Sequence, residues 1–130
     1  MDIVIDVSAI LAVIVGEPER DRVVEMVAGH HLVGPGSIPW EVGNAFSAMV
    51  KQHRLSLKDA QRGLIIFQSV PIRYLAVDLE NAVSIAHANN LYAYDAYFLD
   101  CASRHVAPLL TLDRPLKRAA GKVGVQVLEV

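Results

Sequence analysis

The stretch IVID, Ile3 to Asp6, is a short continuous apolar run, rich in β-branched residues, that ends on a carboxylate and gives way at once to AILAVIV. A run of this kind suits a strand covered on both faces, because neither face carries the polar residues that water would require. IRYLAV and APLLTL are further runs of the same type, a brief strand fits His31 to Val33, and VGVQVLEV reads as a final strand. Segments of helical period lie between them, and no two runs are joined by a tight hairpin turn. Strands separated by helices run parallel, since a crossover of that length returns the chain to the end of the sheet where it started. The expected fold class is therefore α/β, a central parallel β-sheet flanked by helices on both faces.

Local signals set the helix boundaries. Ser8 stands as an N-cap ahead of the first helix, and a second helix fits Glu19 to Gly29 after Pro18. Pro39 is placed as a first helical residue, with Ser37 or Ile38 just outside it and Val42, Phe46, Met49 and Val50 forming an apolar face. Ser56 and Asp59 form a capping box for a helix to about Ser69, and Asp78 caps a helix over Leu79 to about Ala88, stopped by Asn89 and Asn90. A helix from about Asp95 to His105 and a short one started by Pro115 complete the pattern.

The chain has 130 residues and 53% hydrophobic content, enough to fill the core of one domain spanning residues 1–130. Asp2 and Asp6 interrupt the apolar start, and no basic region precedes it, so neither a signal peptide nor a membrane anchor is expected there. The single cysteine, Cys101, excludes an internal disulfide and reads as a small buried hydrophobe, which suits a reducing, cytoplasmic setting. Net charge is −2, so no global field attracts nucleic acid. Basic residues are grouped at Lys51, His53, Arg54, Lys58 and Arg62, and again at Arg114, Lys117, Arg118 and Lys122; solvated helix faces account for most of them. His30 and His31 lack a partner at zinc-ligand spacing and read as a solvated loop.

In parallel sheets of this class the ligand site lies outside the carboxyl ends of the strands. Asp6 ends the first strand and Asp113 follows PLLTL, so both belong to that edge. Glu41, in the first turn of the helix from Pro39, returns to it. Asp95 shares a helical stripe with Phe98, Leu99 and Ala102 and points inward, whereas Asp100 falls off the stripe and reads as solvent-facing. Taken singly, Glu41 and Asp113 are ordinary first-turn or capping acids. Together the set requires a counter-charge, because two unit charges a few ångströms apart repel by ~4 kcal/mol at an effective dielectric near 20. Oxygen donors call for a hard cation, Mg²⁺ or Mn²⁺.

The segments IDVSAILAVIVGE, SIPWEVGNAF, LYAYDAYFLDCA and LLTLDRPLKRAA, in this order and spacing, make the chain resemble the PIN-domain ribonucleases, and more closely the VapC-type toxins of toxin–antitoxin pairs. The resemblance covers essentially the whole chain and implies a single PIN-like nuclease domain. It places Asp6, Glu41, Asp95 and Asp113 on the family's acidic, catalytic and metal-binding positions, and Ser8 and Thr111 on its accessory hydroxyl positions. It implies hydrolysis of RNA phosphodiester bonds with carboxylate-bound Mg²⁺ or Mn²⁺, a cognate antitoxin as partner, and a homodimer. In that scheme Asp6 and Asp95 are the principal ligands, Glu41 and Asp113 place a second ion or orient waters, and Ser8 and Thr111 support the ligands by hydrogen bonds. Asn44, one turn beyond Glu41, offers an amide to the same shell or is a plain surface residue. Arg114, Lys117 and Arg118 beside Asp113 form the candidate rim for RNA. Tyr92, Tyr94 and Tyr97 either stack on unpaired bases or pack in the core or a subunit interface.

Two other classes compete. A PIN-like module that binds RNA or protein without cutting has no need of mutually repelling acids. A receiver-type phosphoacceptor domain wants paired acids after its first strand and a lysine after its last but one, where this chain has DVS and LDRP.

Overall fold

The computed structural model describes Met1–Val130. Its elements are β1 (Asp2–Ile5), α1 (Val7–Val15), α2 (Arg20–Val27), β2 (His31–Pro35), α3 (Ile38–Lys51), α4 (Leu57–Ser69), β3 (Ile72–Leu75), α5 (Leu79–Asn89), α6 (Ala93–Arg104), β4 (Leu109–Leu110) and α7 (Arg114–Lys122). The strands form one parallel sheet in the order β3-β2-β1-β4, with Val4 opposite both Val33 and Leu109. Ile3, Val4, Leu109 and Leu110 are completely buried, which is why their segments are unbroken apolar runs.

The chain winds from β1 through β2 to β3, then crosses back to set β4 on the other side of β1. Right-handed crossovers put the helices of the two windings on opposite faces. Accordingly α1 packs with α2, α3 and α4, while α5 and α6 pack together and α6 lies across β1, β2 and β4. Gly63 permits the close approach of α4 to α3, since a Cβ there would lie 2.6 Å from the Phe46 ring. The reversal of strand order falls between β1 and β4, where doubly wound sheets open a crevice at their carboxyl ends.

Most helix signals hold. Ser56 and Asp78 cap α4 and α5 by accepting from the backbone N–H of Asp59 and Asn81, and Asn90 ends α5 in the left-handed region. Three expectations are corrected. The cap of α1 is Asp6, not Ser8: Asp6 has extended backbone, and its Oδ1 accepts from Ala9 N at 3.2 Å, so strand passes to helix with no intervening loop. The final segment forms no regular strand. β4 has only two residues, and its free edge offers one rung, taken by Leu109 N–H on Gln126 O and Leu128 N–H on Leu109 O.

The third correction concerns Asp100, which is completely buried. The sheet covers one side of α6 and α5 covers another, so a residue off the sheet-facing stripe is still inside. There Asp100 accepts from Asp78 N (3.0 Å) and Asn81 Nδ2 (2.8 Å), and Arg104 Nε lies 3.3 Å away. Its carboxylate thus fastens the start of α5 to α6. Removing the buried carboxylate leaves the Asp78 amide and the Asn81 side chain without an acceptor and the exposed Arg104 without its partner. Asp100→Ala is therefore expected to cost ~3 kcal/mol in urea unfolding, and Asp100→Asn less because it keeps an acceptor. A change within ~0.5 kcal/mol for Asp100→Ala, the range of an ordinary surface substitution, would contradict this role.

Candidate active site at the carboxyl end of the sheet

Asp6 leaves β1 with its amide bonded to Leu110 O of β4, at 3.1 Å, so the two strands stay paired right up to the carboxylate and the crevice begins beyond it. Both oxygens of the side chain are engaged. Ser8 Oγ donates to Oδ1 at 2.7 Å and Thr111 Oγ1 donates to Oδ2 at 2.7 Å. The hydroxyls are fixed in turn from the backbone beyond β4, because Leu112 N–H donates to Ser8 Oγ (2.9 Å) and Asp113 N–H to Thr111 Oγ1 (3.0 Å). Each hydroxyl has one proton, and both protons go to Asp6; the 3.3 Å contact between the two oxygens needs none. Asp113 then caps α7 by accepting from Leu116 N at 3.2 Å. Two adjacent strands thus end on capping aspartates, and the capping and site interpretations of these residues are compatible.

Glu41 stands in the first turn of α3, where Ser37 Oγ donates to its Oε2 at 2.6 Å. Ser37 was not singled out from the sequence. Its signal is a serine at the N-cap one helical turn before an acid, and its hydroxyl serves the acid in place of the backbone. Asp95 lies in the first turn of α6, half-buried, because that helix begins at Ala93, two residues earlier than expected.

These carboxylates share one electrostatic neighbourhood. Burial, only partly offset by bonds from Ser8, Thr111 and Ala9, raises Asp6 to about 6, and the charge of Asp113 adds to the rise. Burial raises Glu41 to about 7 against the Ser37 bond, with Asp95 and Asp6 pushing in the same direction. Asp95 is raised by burial and then by Asp113. No three His, Cys, Asp or Glu side chains are gathered into a preformed ligand cluster, since Asp6, Glu41 and Asp113 each turn oxygens toward their own donors. The donor chemistry nonetheless suits a hard cation: the set is all carboxylate, and positive charge would relieve both its burial and its mutual repulsion.

Asn44 is exposed and, with Glu41, Val7, Trp40, Ala45 and Tyr94, lines a cavity of about 450 Å³. Arg114 and Arg118 are exposed on α7, whereas Lys117 is half-buried with Nζ 3.9 Å from Glu129. Tyr92 and Tyr94 stand exposed and do not pack in the core. The pair His30 and His31 lies at the opposite end of the sheet, where β2 begins. Cys101 is completely buried, and its thiol is pushed up to about 11 by burial.

A four-stranded parallel sheet with one buried and three half-buried carboxylates near its carboxyl edge defines an α/β domain with an acidic site. The PIN domain profile matches residues 3–122, and the chain belongs to the PIN domain family. The receiver-type alternative is thereby set aside. Among curated proteins none matches. Three solved structures share the fold. A Pyrobaculum aerophilum protein is 22% identical with a TM-score of 0.70, over 92% of this chain and 79% of that one. VapBC2 of Rickettsia felis, solved bound to a DNA fragment from its promoter, is 17% identical with a TM-score of 0.68, over 99% and 98% of the two chains. A toxin–antitoxin complex from Klebsiella pneumoniae is 22% identical with a TM-score of 0.62, over 98% of each. No helix is long and apolar enough to cross a membrane.

The raised Asp6 fixes the sign of a pH effect. Its carboxyl holds a proton more tightly folded than unfolded, so its contribution to stability is greatest below the ordinary value of 3.8 and is lost as pH rises toward about 6. A shift of this size corresponds to ~3 kcal/mol. In cation-free buffer, the unfolding temperature of Asp6→Asn should gain on that of the parent protein as pH is raised from about 4 to about 7. A difference that stays constant with pH would contradict the raised value.

Proposed function

We propose that this protein is a divalent-metal-dependent endoribonuclease and the toxin of a toxin–antitoxin pair. The observation that carries the reading is the placement of Asp6, oriented by Ser8 and Thr111, beside Asp113 at the start of α7, with Glu41 and Asp95 in the first turns of α3 and α6 near enough for their charges to act on one another. Membership of the PIN family supports nuclease chemistry, and the likeness to VapBC2 and to a toxin–antitoxin complex supports an antitoxin partner.

Asp6 and Asp95 would be the principal holders of Mg²⁺ or Mn²⁺, joined by Glu41 and Asp113. The ion, when bound, supplies Lewis-acid polarisation of the phosphodiester and a more acidic water. Ser8 and Thr111 hold the Asp6 carboxylate in one orientation, so that little reorganisation is needed at the moment of reaction. Ser37 does the same for Glu41 and, while that bond persists, keeps one oxygen from the site. Asn44 contributes an amide at the cavity wall beside Glu41. Arg114 and Arg118, with Lys117 once it leaves Glu129, would meet the phosphates flanking the cut, since a protein of net charge −2 must attract RNA locally. Exposed Leu57, Ile65 and Ile66 on α4 supply apolar surface for the antitoxin or a second copy.

Purified protein should cleave RNA with Mg²⁺ or Mn²⁺ and stop when the ion is chelated. Cleavage unchanged in excess EDTA, with contaminating nuclease excluded, would refute the mechanism. Asp95→Asn should abolish cutting with the fold retained. Thr111→Val should lower metal affinity or activity ~10–100-fold, as outer-shell substitutions do. Full activity in either variant would remove that residue from the site.

A further inference from the structure

Trp40 and Tyr94 immediately precede Glu41 and Asp95, each in the first turn of its helix. Both are exposed, Trp40 at 76% and Tyr94 at 55%, although large aromatic faces in water are unfavourable. They form a shared wall. On one side lies the cavity that holds Glu41 and Asn44; on the other is a groove of about 460 Å³ floored by Leu75, Val77 and Leu79, with no charged side chain in its lining. Tyr97 also lines this groove and meets Tyr94 edge to face, with ring centroids 5.6 Å apart and planes at 86°. The contact favours this orientation of the Tyr94 ring, with its remaining surface free for a ligand.

We propose that the Trp40–Tyr94 groove is a nucleobase subsite, which stacks an unpaired base of the strand whose phosphate lies at the carboxylates. The inference rests on the nuclease reading of those carboxylates and extends it to the choice of substrate. Trp40 and Tyr94 line both the groove and the Glu41 cavity, so the two lie side by side and one strand can reach both across the rim of this wall. A phosphate belongs on the side where a cation can neutralise the acids, and a neutral, flat, apolar group belongs on the uncharged side. Successive phosphate and base of a single strand meet both demands. Stacking needs an unpaired base, so the subsite selects single-stranded or looped RNA over a closed duplex.

Trp40 is the only tryptophan in the chain, so its emission reports on the groove directly. Asp95→Asn protein in Mg²⁺ is titrated with a short single-stranded oligoribonucleotide and with an abasic oligomer of equal length. The base-bearing strand should quench Trp40 and bind roughly 5- to 100-fold more tightly than the abasic one. In the otherwise intact protein, Trp40→Leu and Tyr94→Leu should raise KM by a similar factor with kcat little changed, and Trp40→Phe should restore much of the loss. Failure of the parent protein to cut RNA, together with quenching of Trp40 by the base-bearing strand, would defeat the nuclease reading and leave the subsite standing. Three results would overturn the subsite while leaving the nuclease reading intact: RNA cutting with unaltered KM in both leucine variants, equal quenching by the abasic strand, or a Trp40-dependent self-association in sedimentation that shields the groove from either oligomer.

Discussion

The architecture turns on one carboxylate that is almost entirely buried. Asp6 sits at the junction of β1 and α1, and both its oxygens receive hydroxyl protons, one from its own helix and one from the segment after β4. The hydroxyls are held by backbone amides at Leu112 and Asp113, so a single side chain ties two strand-to-helix transitions together. A buried carboxylate without such partners would cost several kcal/mol. With them it is tolerated, and its remaining demand is for positive charge.

That demand explains why the site lies where it does. Parallel strands present their carboxyl ends and the N-termini of the following helices at one edge, and the reversal of winding between β1 and β4 opens the crevice there. Helix N-termini carry partial positive charge, which steadies Asp6 and Asp113 as caps but falls short of neutralising a coupled set. In the proposed function a divalent ion would complete the balance. The aromatic wall formed by Trp40 and Tyr94 follows from the same geometry, because the residue before each first-turn acid is rotated away from the acid and toward the neighbouring groove.

Much of this was legible in the sequence. Apolar runs ending on Asp6 and just before Asp113 gave away a parallel sheet and the edge at which both acids stand, and the caps at Ser56 and Asp78 followed from local rules. What escaped depended on packing between elements. A helical stripe identifies one buried face, but α6 is covered on two, which is how Asp100 came to be misplaced on the surface. The apolar tail suggested a strand, yet pairing needs a partner edge, and β4 is too short to offer one. Ser8 resembled a cap because serine commonly is one; the abrupt turn at Asp6 gave that position to the aspartate and freed the serine to orient it. Ser37 had a local signal, a serine one helical turn before an acid, that was read only as a helix boundary, whereas the wall that Trp40 makes with Tyr94 exists only across space.

In the proposed function the Asp6 carboxylate is held ready for a cation. Carbon-13 NMR of the Asp6 carboxyl, followed through a pH titration with and without Mg²⁺, tests it directly. The account predicts a midpoint near 6 without the ion and a marked fall when Mg²⁺ is present. A midpoint at the ordinary 3.8 in cation-free buffer, or one that Mg²⁺ does not move, would contradict it.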